Sequence, residues 1–183
     1  MNLQSSIIFV MAMLNFGSFI WAAFRHFIIE ANPSRELKWL SVLLIASQLF
    51  VLVVACFVPA QTTWQFGIGI LAILLSAMLF WWCIRTNKRQ PLTGAFSSNL
   101  PQHLVRQGPY RLVRHPFYTS YILTYIGVVL ASQQWWGIPG VVLPMILYIV
   151  SSRHEEAKFA ESDLADQYAH YKQQTGRFLP RLF

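Results

Sequence analysis

Between Pro116 and Ser152 the chain runs 37 residues without a Lys, Arg, Asp or Glu. As one α-helix that stretch would measure about 55 Å, against a hydrocarbon core of about 30 Å. It must fold back on itself, and the polar, Trp-bearing run Ser132-Gln133-Gln134-Trp135-Trp136 is the natural interfacial turn. Three more uncharged stretches, 5–24, 39–58 and 64–84, are each about 20 residues long, enough for a single crossing. The expectation is five spans, at about 5–24, 39–58, 64–84, 116–132 and 135–152, with the last two forming a helical hairpin. A tail, 153–183, would follow. Pro139 and Pro144 are expected to bend the fifth span, and Gly137 and Gly140 to let it pack closely.

Composition agrees. Hydrophobic residues make up 55% of the 183 and charged residues 11%, with a mean hydropathy of +0.44. Soluble domains carry about 25% charged residues, so a soluble globule, a disordered chain and a coiled coil are all excluded. The fold class expected is all-α, a polytopic integral membrane protein forming a single domain.

Charge placement gives the orientation. Of 14 Lys and Arg, three lie between Arg25 and Lys38, six between Arg85 and Arg114, and five after Ser152. The N-terminal tail, 59–63 and the hairpin tip have none. The positive-inside rule then places the N-terminus outside and the C-terminus in the cytoplasm. Residues 1–24 lack a basic n-region and are read as a retained span. The compact form suggests the plasma (inner) membrane of a prokaryote. The net charge of +7 is assigned to cytoplasmic loops and anionic lipid, not to nucleic acid. In the tail, Phe159, Leu164, Tyr168 and Tyr171 recur at near-helical spacing and predict an amphipathic helix.

Two clusters carry candidate chemistry. Gly108-Pro109-Tyr110-Arg111-Leu112-Val113-Arg114-His115-Pro116-Phe117-Tyr118 joins a turn signal to the start of the fourth span. His115 falls near a helix N-cap, where free N–H groups favour an anion, and Arg111 and Arg114 add positive charge. Such an entrance suits the carboxylate of an amino-acid-like cofactor, and equally a plain basic collar. Arg153-His154-Glu155-Glu156 lies where the fifth span ends; because a hairpin returns to the side it left, this cluster and His115 should be neighbours. Its bland reading is a snorkelling Arg followed by acids opening a new helix. Cys56 and Cys83 read as buried thiols. No metal-ligand spacing, nucleophile elbow or dinucleotide loop is present, and Gly67-Ile68-Gly69 reads as a helix-packing site.

At these clusters the sequence resembles the isoprenylcysteine carboxyl methyltransferase family, whose superfamily includes phospholipid N-methyltransferases. The resemblance rests on the run from Gly108 to Tyr118, on Glu155-Glu156 some 35 residues later, then on Tyr168, Tyr171 and Pro180. It covers roughly 85–183. It implies S-adenosylmethionine bound from the cytoplasmic side, lined by His103, Leu104, Val105, Tyr110, His115, Pro116 and Tyr118. Glu156, joined by Glu155, would contact the cofactor, and Arg153 would be the catalytic residue facing the substrate. The implied activity is methyl transfer to a lipophilic small molecule or lipid through a carboxylate, phenol, thiol or amine. A membrane reductase of related architecture using NADPH, and a non-enzymatic transporter or assembly protein, are the alternatives.

Overall fold

The computed structural model describes residues 2–25, 27–28, 35–58, 64–88, 92–93 and 100–181. The described residues form a bundle of five long helices: α1 (Leu3–Arg25), α2 (Arg35–Ala55), α3 (Trp64–Thr86), α4 (Pro116–Ser132) and α5 (Pro139–Ala160). A shorter α6 (Ala165–Gln174) follows. Among the described residues, β pairing is confined to a parallel pair of two-residue strands, Phe27–Ile28 with Leu92–Thr93, and an isolated bridge between Val113 and Gly176. Residues 59–63, between the expected second and third spans, lie outside the described residues.

Helices α1, α2, α3 and the segment Trp135–Ala160 are long and apolar enough to cross a membrane. α4, with 17 residues, is shorter. It is also the most enclosed, packing against α1, α2, α3 and α5. Around the bundle, large apolar side chains face outward, among them Leu14 (67% exposed) and Met78 (68%). In water such a belt would be an aggregation surface; against lipid tails it carries no penalty. The protein is a multi-pass membrane protein.

Helix contact is achieved with small residues and buried polar groups, since lipid supplies little hydrophobic drive between helices. A Cβ on Gly69 would collide with the backbone of Ala131 and lie 2.5 Å from the carbonyl oxygen of Gly127. A Cβ on Gly67 would meet open space, so Gly69 alone is the packing glycine of that pair. Gly137 and Gly140 pack as expected: a Cβ there would press on Val54 and Val129, or on Phe50 and Val51. Deep in the bundle, Asn15 Nδ2 donates to the Ile73 carbonyl (3.1 Å) and to Thr124 Oγ1 (2.9 Å). Ser76 Oγ donates to the Ser120 carbonyl (2.5 Å), tying α1, α3 and α4 together.

The α4–α5 reversal falls where expected. Gln133 adopts a left-handed conformation (φ 56°) directly after α4, and Trp135–Gly137 form a 3₁₀ turn. Three expectations are corrected. Pro139 opens α5 rather than bending it, a position where its missing N–H costs nothing. α5 does not stop near Ser152 but continues to Ala160. The tail is not one amphipathic helix: Phe159 lies in the last turn of α5, a turn intervenes at Glu161–Leu164, and Tyr168 and Tyr171 belong to α6.

Candidate active site

The site is built where the start of α4, the end of α5, α6 and the segment after α6 meet. Because α5 runs on without a break, Glu155 and Glu156 are mid-helix residues and do not open a new helix. Glu155 and Glu156 follow the inward-facing Ser151 and Ser152 by one turn, so both are aimed at the first turn of α4.

His115, 8% exposed, stands between the two carboxylates. Its Nδ1 lies 3.2 Å from Glu155 Oε2 and its Nε2 3.3 Å from Glu156 Oε1. A neutral imidazole has a single N–H, whereas this geometry gives both ring nitrogens an acceptor, which only the imidazolium satisfies fully. Burial, the largest influence, pushes its pKa down; the hydrogen bonds and charges of Glu155 and Glu156 outweigh it, and the net shift is upward. Tyr118 OH donates to Glu155 Oε1 at 2.5 Å, and its ring stacks on His115 (centroids 5.6 Å, 7°) and on Tyr148 (5.0 Å, 20°).

Glu156 is surrounded by cations. Besides His115, Arg114 Nε (3.1 Å) and Arg177 Nε (3.1 Å) donate to Oε1. Arg177 Nη2 (2.9 Å) donates to Oε2, and Lys172 Nζ lies 3.4 Å from the same oxygen. The Glu156 side chain is only 5% exposed, and an unpaired carboxylate there would be strongly unfavourable. Arg114 also donates to the backbone carbonyls of Lys172 (3.3 Å) and Thr175. Its charge therefore neutralises Glu156 and is not free to hold an anion, as the sequence suggested; Arg111 remains exposed.

The segment after α6 returns along the start of α4. Val113 forms a parallel bridge with Gly176, Arg114 N–H donates to the Gly176 carbonyl (2.9 Å) and His115 N–H to that of Arg177 (3.1 Å). Thr119 Oγ1 donates to the Phe178 carbonyl (2.9 Å), and the Phe178 ring sits 6.0 Å from His115. α6 is anchored by Tyr171 OH, which donates to the Tyr110 carbonyl at 2.6 Å, and by the Phe159–Tyr168 stack (4.4 Å, 8°).

Of the residues named from sequence, the structure thus brings His115, Tyr118, Glu155 and Glu156 together, with Pro116 opening α4 beside them. Tyr110 is buried in the 3₁₀ turn Gly108–Arg111, its hydroxyl accepting from Asn87 Nδ2 (2.9 Å). His103, Leu104 and Val105 lie half-buried in irregular chain before that turn; among the described residues no hydrogen bond or ion pair joins them to the glutamates. Arg153 is on the exposed side of α5. Sequence reasoning missed Asn87, Lys172 and Arg177. The last lies in Gly176-Arg177-Phe178, a stretch whose only signal was its closeness to Pro180.

The phospholipid methyltransferase family matches residues 64–167, more than half of the chain, and the chain belongs to that family. Among solved structures, the eukaryotic intramembrane Ras methyltransferase, isoprenylcysteine carboxyl methyltransferase, aligns with a TM-score of 0.57 at 20% identity. The alignment covers 98% of this chain and 68% of that one. At that identity the likeness is one of fold. No curated protein matches.

Proposed function

We propose that the protein transfers a methyl group from S-adenosylmethionine to a lipophilic small molecule or lipid. The transfer would take place at the membrane face carrying His115, Tyr118 and Glu155, with five spans and that face in the cytoplasm. The observation that carries the reading is the conjunction of the family match with a carboxylate set in an aromatic wall. Glu155 is one-quarter exposed (25%) and fixed by His115 and by Tyr118, whose ring in turn stacks on Tyr148.

The side chains present suit such a cofactor. A sulfonium with an ammonium group is cationic, and a fixed, partly exposed carboxylate favours a cation. Asn87 Oδ1 is buried without a partner among the described residues, an acceptor available to an N–H or O–H. His115, Tyr118 and Glu155 would hold the cofactor, with Tyr110 and the half-buried His103, Leu104 and Val105 walling the approach from water. When bound, the cofactor supplies an activated methyl group, so the protein's task is chiefly to position and to exclude water. Arg153 would face a polar acceptor group at the membrane surface, while the acceptor's hydrocarbon part stays in lipid.

Calorimetric titration of the detergent-solubilised protein with S-adenosylhomocysteine, with NADPH alongside, tests this. Saturable binding of the former that is lost in Glu155→Gln is expected. Binding of NADPH instead would overturn the reading in favour of a reductase.

A further inference from the structure

The two consecutive glutamates have different surroundings. Glu155 keeps a quarter of its side chain open, and its contacts are Tyr118 and His115, residues of the proposed cofactor wall. Glu156 has both oxygens occupied by Arg114, Arg177, His115 and Lys172, and is almost wholly enclosed. A carboxylate with its lone pairs already taken by cations has little capacity left for a ligand's N–H or O–H. Three of its partners belong to different parts of the chain: Arg114 to the segment before α4, Lys172 to α6, and Arg177 to the segment after it.

That last segment is closely fitted. A Cβ on Gly176 would strike the Leu179 carbonyl, so the local turn admits only glycine. From there the backbone bonds to Arg114 and His115, and Phe178 packs beside the His115 ring.

We infer that Glu156 is not a cofactor ligand but a clasp: with Arg114 and Arg177 it fastens residues 175–178 as a strap against the start of α4, and so holds His115 and Glu155 in position. Glu156 and Arg177 are thereby positioning residues, and Glu155 is the glutamate that meets the ligand. The division of labour rests on the cofactor reading above; the clasp itself does not.

The test uses the whole 183-residue chain in detergent and two readouts: tryptic cleavage after Arg177, followed by mass spectrometry, and affinity for S-adenosylhomocysteine. Wild type and Glu155→Gln should protect Arg177 equally, with Glu155→Gln losing affinity. Glu156→Gln and Gly176→Ala should be cut after Arg177 at least about ten-fold faster and lose affinity about ten-fold. Arg177→Lys, which keeps a cation, should retain most of the affinity that Arg177→Ala loses. Thermal unfolding of each variant separates release of the strap from collapse of the bundle. Protection of Arg177 in a folded Glu156→Gln, or a freed strap with unchanged affinity, would overturn the inference. If wild type binds no S-adenosylhomocysteine while Glu156→Gln still frees the strap, the cofactor reading falls and the clasp stands.

Discussion

Tyr171 in α6 donates its phenolic hydroxyl to the backbone carbonyl of Tyr110, 61 residues earlier and 2.6 Å away, in a buried setting. It joins α6 to the turn before α4, beside the backbone bonds that tie Arg114 and His115 to Gly176 and Arg177. Tyr171→Phe keeps the ring but leaves the carbonyl without its donor, at a cost of about 1–2 kcal/mol. Thermal unfolding should show that loss, and proteolysis of α6 should quicken. Equal stability of the variant would mean that water replaces the hydroxyl.

Protonation of His115 should make stability depend on pH. Its folded pKa is raised because Glu155 and Glu156 accept from both ring nitrogens, more than offsetting burial. A group raised on folding contributes fully below its unfolded value, about 6.5, and that contribution is lost as pH rises through the folded value. Wild type should therefore be most stabilised relative to His115→Gln in mildly acidic buffer, and the gap should close on moving to alkaline pH. Unfolding midpoints of the two proteins across that range provide the check; a gap that does not change with pH would contradict it.

The α3–α4 contact should tolerate no added methyl. Gly69→Ala places a Cβ against the backbone of Ala131 and Gly127, atoms that do not swing aside as a side chain would. The cost should equal or exceed the 1–3 kcal/mol of about one overpacked side chain. Gly17→Ala and Gly67→Ala, whose Cβ atoms would meet nothing within 4 Å, are the controls and should unfold like wild type.

Within the bundle, Thr124→Val removes the acceptor of Asn15 and a partner of Ser76 while preserving shape. Interhelical hydrogen bonds in membranes contribute about 0.6–2 kcal/mol. A loss in that range is expected on denaturation in mild detergent. Asn15→Leu should lose as much or more, because it also abandons the Ile73 carbonyl. A double variant losing little beyond either single one would confirm that the groups act as a unit.

The bundle was legible from the sequence because charge marks where a helix leaves lipid. The uncharged stretches locate α1 to α4, although α2 starts earlier, at the charged Arg35, and Gln133 turns the chain where polar residues interrupt the longest stretch. The far end of α5 was not legible: past Ser152 the residues become polar, although the backbone stays helical to Ala160. Spacing also misled for Phe159 and Tyr168, which meet by stacking across a break between two helices rather than along one face. The neighbourhood of His115 and the glutamates followed from the hairpin alone. The partnership of Arg114 and Arg177 with Glu156 did not, since it depends on how α6 returns the chain to α4, a matter of tertiary geometry with no local signature.

Methyl transfer itself is measured by following an isotope-labelled methyl group from S-adenosylmethionine into the organic extract of membranes containing the protein. Label is expected in a lipophilic product, abolished by Glu155→Gln while that variant remains folded. A folded wild-type protein that binds no S-adenosylhomocysteine and leaves the extract unlabelled would contradict the proposed transfer.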